Sequence, residues 1–294
     1  MSKASPKPLQ PLKGVRVLSL SLNLPGPAAL LRCRQMGATC VKLEPPAGDP
    51  MGIYQRAAYS ALHDGVRVIS ADLKTEQGQK VLQRELAKAD VLLTSFRPSA
   101  LVKLGLDWRS LHKHYPALSQ VAIVGAPGAA AEEPGHDLTY LASHGLVTGL
   151  DLPATLFADM GGALMASEAV LQSVLHQRTK GKGVFLEVAL SSAVAWLALP
   201  RSWGLTKAGG AVGGGHAGYR VYPCKDGRVA VAALEPHFAA ALCTAAGVLV
   251  SNMKAMFAPA THAALANWFG QQTCQSLDKL AVENDIPLQT LPAA

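Results

Sequence analysis

Short apolar runs alternate with stretches of helical periodicity through the first 125 residues. Residues 14–22 (GVRVLSLSL) are rich in valine and leucine, follow a proline-rich leader and predict a strand. The turn Asn23-Leu24-Pro25-Gly26-Pro27 ends it, a helix is predicted over 28–36, Gly37 stops that helix, and 40–43 (CVKL) reads as a second strand. Strand, helix and strand in so short a span form a βαβ unit, which crosses over right-handed onto a parallel sheet. Further strands are predicted at 66–70, 91–94 and 118–124, with helices at 75–87 (capped by Thr75), 101–105 and 107–114. This order predicts an α/β domain, Rossmann-like and doubly wound.

Beyond it, a long apolar helix is predicted over 158–176, then a turn at Gly181-Lys182-Gly183, a strand over 184–190 and a helix over 191–199. A glycine-rich stretch, 209–215, reads as a hinge, and 218–223 with 228–234 read as a hairpin around Lys225-Asp226-Gly227. The expected organisation is a large domain over 1–205, a smaller α+β domain over 206–270 and a shortened C-terminal return segment over 271–294.

Composition narrows the class. With 49% hydrophobic and 16% charged residues in 294, the chain can bury a sizeable core. No apolar run reaches the roughly 18 to 20 residues needed to cross a bilayer. No uninterrupted apolar h-region follows the opening MSKASPKPLQ, so neither a membrane nor a secretory route is expected and a cytoplasmic location is. Five cysteines, odd in number and without C-x-x-C spacing, predict neither a zinc site nor a disulfide framework, and no metal is expected. Cys33 and Cys40 read as small packing residues. The net charge of +7 comes from dispersed basic residues, without a basic helix or an aromatic RNA-binding motif. That pattern speaks against nucleic acid and suits a small polyanion.

Candidate chemistry is sparse. Gly26 stands where a dinucleotide fold carries three glycines, and the flanking prolines lack N–H donors, so a nicotinamide or flavin site is disfavoured. Asp159, in Phe157-Ala158-Asp159-Met160-Gly161-Gly162, enters the long apolar helix. The plain reading is a helix cap. The functional one has Gly161 and Gly162 admitting a ligand to free backbone N–H groups that stabilise an oxyanion. His136-Asp137 offers an imidazole and a carboxylate in a loop ahead of another helix, and Asp137 also suits a cap. Glu235 stands between a strand and a helix that Pro236 starts, where a charge in the first turn is the plain reading.

Longer segments carry a resemblance. PLKGVRVLSLS, MGATCVKLEPPAGDP, ADLKTEQGQKVLQRELAKADVLLTSFRPSALVKLGL, PGHDLTYLA, ADMGGALMASEAVLQSVLHQRTKGKGVFLEVAL and DIPLQTLP resemble, in order, the family III CoA-transferases of the CaiB/BaiF type. The resemblance implies a Rossmann-like large domain, a smaller domain and a homodimer of interlocked chains. It implies a coenzyme A thioester as substrate with no prosthetic group, and Asp159 as the catalytic carboxylate. In the family's transferases that carboxylate attacks the acyl carbonyl and gives an anhydride, then an aspartyl-CoA thioester. His136, the A-D-M-G-G segment and Ala233-Leu234-Glu235-Pro236-His237-Phe238 are more similar to the α-methylacyl-CoA racemase branch.

A racemase needs an acid–base group on each face of the α-carbon and a stabilised enolate. The resemblance assigns His136 and Asp159 to the two faces, the helix start after Asp159 to the enolate, and Glu235 to support of His136. For coenzyme A binding the candidates are Lys74, Phe96, Arg97 and Lys103, together with Asp137, Gly161 and Gly162. The loops between Gly125 and His136 and over 145–156 are shorter than in typical members, and the chain ends where relatives continue. A non-catalytic CoA-binding relative is therefore a third alternative, against which the joint presence of His136, Asp159 and Glu235 counts.

Overall fold

Continuous apolar runs become strands covered on both faces. In a computed structural model describing residues 9–293, Val17 of β1 (Arg16–Ser19) packs into one core cluster and its neighbour Leu18 into another. Such two-sided burial is the mark of a parallel sheet. Helix α1 (Pro25–Gln35) follows, then β2 (Thr39–Glu44). The helix starts at Pro25 rather than at residue 28, because the first helical turn has no use for the N–H groups that prolines lack. A Cβ on Gly26 would overlap the Ser21 side chain, so this glycine lets α1 approach the end of the first strand.

Two short helices that periodicity does not predict come next, α2 (Met51–Tyr54) and α3 (Arg56–Leu62). No residue of α3 is fully buried, so it has no apolar stripe to betray it. The alternation then runs as expected through β3 (Arg67–Ser70), α4 (Glu76–Leu86), β4 (Val91–Thr94), α5 (Pro98–Lys103), α6 (Trp108–His114) and β5 (Ser119–Val124). Thr75 caps α4 by accepting from the Gly78 N–H at 3.1 Å. Helices α7 (Asp137–Ser143) and α8 (Phe157–Lys180), strand β6 (Phe185–Ala189) and α9 (Leu190–Leu197) complete the first unit.

All six strands are parallel, in the order β3-β2-β1-β4-β5-β6. This is the doubly wound order, and its direction reverses between β1 and β4, where such sheets open a crevice at the carboxyl ends of the strands. Helices α1 and α8 cover one face and α4 packs on the other.

The chain divides into two compact units between Ala198 and Leu199. The second begins with α10 (Leu199–Ser202) and the hairpin β7 (Tyr219–Cys224) and β8 (Gly227–Ala232). Helices α11 (Pro236–Ala246), α12 (Pro259–Gly270) and α13 (Cys274–Glu283) lead to β9 (Leu288–Pro292), which pairs antiparallel with β8. The tail read as a return segment thus supplies a helix and a strand to the second unit. Its core gathers Tyr222, Leu242, Met256, Leu265 and Phe269, with Tyr222 stacked on Phe269 at 4.8 Å between ring centroids.

Candidate active site

The first turn of α8 is held by a carboxylate from another helix. Asp137, buried at the start of α7, accepts the N–H groups of Ala158 at 2.6 Å and Asp159 at 3.1 Å. Leu156 stands at the N-cap of α8 and offers no side-chain acceptor, so Asp137 does the capping from 21 residues away. This corrects two readings. Asp159 is no cap, since it lies in the first turn, and Asp137 caps α8 through its Oδ1 rather than its own helix α7. The Met160 N–H bonds Leu156 O at 3.0 Å, so the amides from Ala158 to Met160 are all engaged. The oxyanion role expected of this helix start therefore loses its donors.

Gly161 and Gly162 also have a packing reason. A Cβ on Gly162 would overlap Leu190, and one on Gly161 would press on Leu197 and Ala193. Both glycines let α8 lie close against α9, which is a packing reason for them independent of any ligand.

With its backbone N–H taken by Asp137, Asp159 keeps its carboxylate unengaged. Among the described residues no hydrogen bond or ion pair reaches that side chain. Burial, and then the Asp137 charge, push its pKa from 3.8 up to about 6, while His136 pulls it down. A carboxylate in this state exchanges its proton near neutral pH. His136 is the N-cap residue of α7 and is exposed. Its backbone is fixed: its N–H donates to Thr139 Oγ1 at 3.1 Å, and the Thr139 hydroxyl donates to its carbonyl at 2.8 Å.

Two tyrosines that sequence reasoning missed complete the surroundings. Burial and the Asp159 charge raise the pKa of Tyr140, one turn after His136 on α7. A Cβ on either Gly125 or Gly135 would overlap its hydroxyl, so those glycines make room for it. Tyr54, on α2, is raised by burial and then by Asp49 and Asp159. Its hydroxyl donates to Asn23 Oδ1 at 3.4 Å, and Asn23 has φ of 63° in the turn after β1. The spacing of Tyr140 from His136 was the one available signal.

Behind this turn lies a buried ionic network. Lys42 of β2, with none of its side chain exposed, is paired with Asp49 and with Glu44 at 3.1 Å, and its Nζ is 2.9 Å from His63 Nε2. The His63 Nδ1–H donates to Tyr59 O at 2.6 Å, which leaves Nε2 to accept from Lys42. Glu44, Asp49 and His63 are grouped as metal ligands would be, but the lysine ammonium already lies among them. Asp49 also accepts the N–H groups of Asn23 at 3.1 Å and Met51 at 2.9 Å, tying the network to the Asn23 turn.

The residues expected to meet coenzyme A lie beyond the carboxyl ends of the strands. Lys74 is exposed after β3, while Phe96 and Arg97 follow β4. Phe96 and Leu73, the neighbour of Lys74, pack against one cluster. Lys103 ends α5, and with Arg97 it helps to hold the Glu132 pKa down, after the Ser99 hydrogen bonds. None of the three cations is in an ion pair among the described residues. Glu235 lies in the second unit, exposed at the N-cap of α11 with Pro236 behind it.

The profile of CoA-transferase family III matches residues 12–293. The chain belongs to that family. A curated relative of this family III chain, the cinnamoyl-CoA:phenyllactate CoA-transferase of Clostridium sporogenes, is 32% identical over 213 residues, 60% of this chain. The alpha-methylacyl-CoA racemase of Mus musculus is 29% identical over 293 residues, 91% of this chain. The chain spans only 52% of the transferase's length and 75% of the racemase's. Racemases and CoA-transferases are thus both relatives at similar identity, and the family is one of enzymes. In structure, a hypothetical protein of Mycobacterium tuberculosis matches with a TM-score of 0.84 at 24% identity, over 96% of this chain and 84% of that one. That likeness shows the fold. No described helix is long and apolar enough to cross a membrane.

Proposed function

We propose that the chain moves the α-proton of a 2-methylacyl-CoA thioester, inverting the α-carbon by two-base transfer between His136 and Asp159. The observation that carries this is the state of Asp159: half-buried, without a side-chain partner among the described residues, raised to about 6 and in the field of His136. Near neutral pH both of its forms are populated, so it serves one enantiomer as base and the other as acid. In one direction the neutral imidazole takes the α-proton and Asp159–H returns a proton to the opposite face; the reverse reaction exchanges the roles. Because the α8 amides are engaged, we assign the enolate oxygen to the Tyr140 hydroxyl, which has no protein partner among the described residues.

Family likeness adds Glu235 as the carboxylate supporting the imidazolium. It also adds Lys74, Phe96, Arg97 and Lys103 as the coenzyme A contacts, and a homodimer, interlocked in the family's manner. A second reading, CoA transfer between carboxylic acids, draws on the same partnerless carboxylate: a free Asp159 oxygen can attack a thioester carbonyl and expel the CoA thiolate. The relative from Clostridium sporogenes bears a name of that kind.

One enantiomer of a 2-methylacyl-CoA in deuterium oxide, with the α-proton followed by NMR, separates the readings. Racemisation predicts exchange with loss of chirality, abolished in Asp159→Ala and weakened in His136→Ala. Transfer predicts no exchange until an acceptor acid is supplied, and a covalent Asp159 adduct. Silence in both assays with coenzyme A bound would leave a non-catalytic binding protein.

A further inference from the structure

The second unit holds a pair of thiols that its sequence spacing conceals. Cys224 ends β7, just before the two-residue turn Lys225-Asp226, and Cys274 is the first residue of α13. Their sulfurs lie 3.6 Å apart although 50 residues separate them. The expectation that no disulfide or metal arrangement exists rested on spacing along the chain, and the fold brings these two together.

Several contacts hold the pair. The Cys274 N–H donates to Asp226 Oδ1 at 2.7 Å, which clips the start of α13 to the hairpin turn. The same carboxylate oxygen lies 3.9 Å from Cys224 Sγ. Gly227 faces Cys224 across the hairpin, and a Cβ there would overlap the Leu291 carbonyl oxygen at 2.3 Å and come within 2.9 Å of Cys274 Sγ, so the missing side chain leaves room for both. Both thiols are partly open to solvent, whereas Cys33, Cys40 and Cys243 are buried. A disulfide needs the sulfurs about 2.05 Å apart, a closure of roughly 1.5 Å between a turn and a helix end.

We propose that Cys224 and Cys274 form a thiol–disulfide exchange site whose oxidant is a low-molecular-weight disulfide such as oxidised glutathione. The Cys224 thiolate attacks one sulfur of the small disulfide, forming a mixed disulfide and expelling one thiolate. Cys274 then attacks the Cys224 sulfur, losing its proton to the second departing thiol. Two protein thiols are oxidised and one small disulfide is reduced to two thiols. The Asp226 carboxylate lies close to both sulfurs, and burial, then Cys224 and Asp226, push the Cys274 thiol up to about 12. The new bond ties the hairpin tip to α13 and closes a loop containing α11 and α12.

The test treats the whole chain with oxidised glutathione, blocks remaining thiols with iodoacetamide and reads the intact mass and the peptide map. Expected are the loss of two alkylatable thiols, no retained glutathione and one peptide joining Cys224 to Cys274. Dithiothreitol should restore both thiols. Cys274→Ser should trap glutathione on Cys224, with circular dichroism checking that the variant is folded. The wild-type mass decides even if a variant fails to fold. Retention of all five alkylatable thiols, or a stable glutathione adduct on the wild type, would overturn the proposal. So would resistance to glutathione combined with a thiolate-to-metal absorption band on adding cadmium, since Asp226 and the two sulfurs would then be a metal site.

Discussion

Asp49 and Asp159 both lie at the carboxyl edge of the six-stranded sheet, withdrawn from bulk water, and their surroundings treat charge in opposite ways. Asp49 meets a buried ammonium and the N–H groups of Asn23 and Met51. Asp159 meets a second carboxylate, apolar burial and one exposed imidazole. The first arrangement anchors a turn, because a fully partnered charge has little to exchange. The second leaves a carboxylate whose protonation remains negotiable. A candidate catalytic acid is recognised here by the partners it lacks.

Removing the ammonium attacks the comparison hardest. Lys42→Met leaves Glu44 and Asp49 facing each other without a cation, and breaking such a pair from one side costs about 3–5 kcal/mol. Urea denaturation at pH 7 should show that loss, with recovery in a Lys42→Met, Asp49→Asn, Glu44→Gln combination. A loss under 1 kcal/mol would mean that water already reaches the network.

Asp137→Ala comes next. It strips the acceptor from two amides at the start of α8, for roughly 1–2 kcal/mol. Because the Asp137 charge is one cause of the raised Asp159 pKa, the variant should also titrate Asp159 below about 6, read by carbon-13 NMR of the carboxylates. An unchanged titration would leave burial as the sole cause.

Asp159→Asn has the opposite sign, and its effect appears only on the alkaline side. A carboxyl group whose pKa is raised from 3.8 to about 6 by folding favours the native state while protonated. That contribution is fully present below pH 3.8 and is lost as pH rises through about 6. The asparagine variant should therefore match the wild type in acid and exceed it above pH 7, by roughly 1–2 kcal/mol after allowing for water around the group. Equal stability at both ends of the range would remove the basis for a poised proton.

Much of the first unit was legible along the chain. Valine and leucine runs at 14–22, 91–94 and 118–124 became β1, β4 and β5, and the Thr75 cap is formed. Helices α2 and α3 escaped because they present no buried stripe to read, and Tyr54 escaped with them. At the site, Asp159 and His136 stood out by residue type and family likeness, but the capping of α8 by Asp137 was not legible. A capping carboxylate is sought next to the helix it serves, and this one arrives from another helix.

By itself the sequence determined most of the strands and helices of the first unit, since side-chain periodicity and turn formers act over a few residues. It also determined the family, carried by long segments in order. Only the tertiary structure decided what the polar residues do. Whether a carboxylate caps, anchors or waits for a proton depends on burial and on charges brought from afar: Asp137 to Asp159, Lys42 to His63, Cys224 to Cys274. Electrostatic and thiol chemistry depend on distance in space, and chain spacing does not set that distance until the fold has closed.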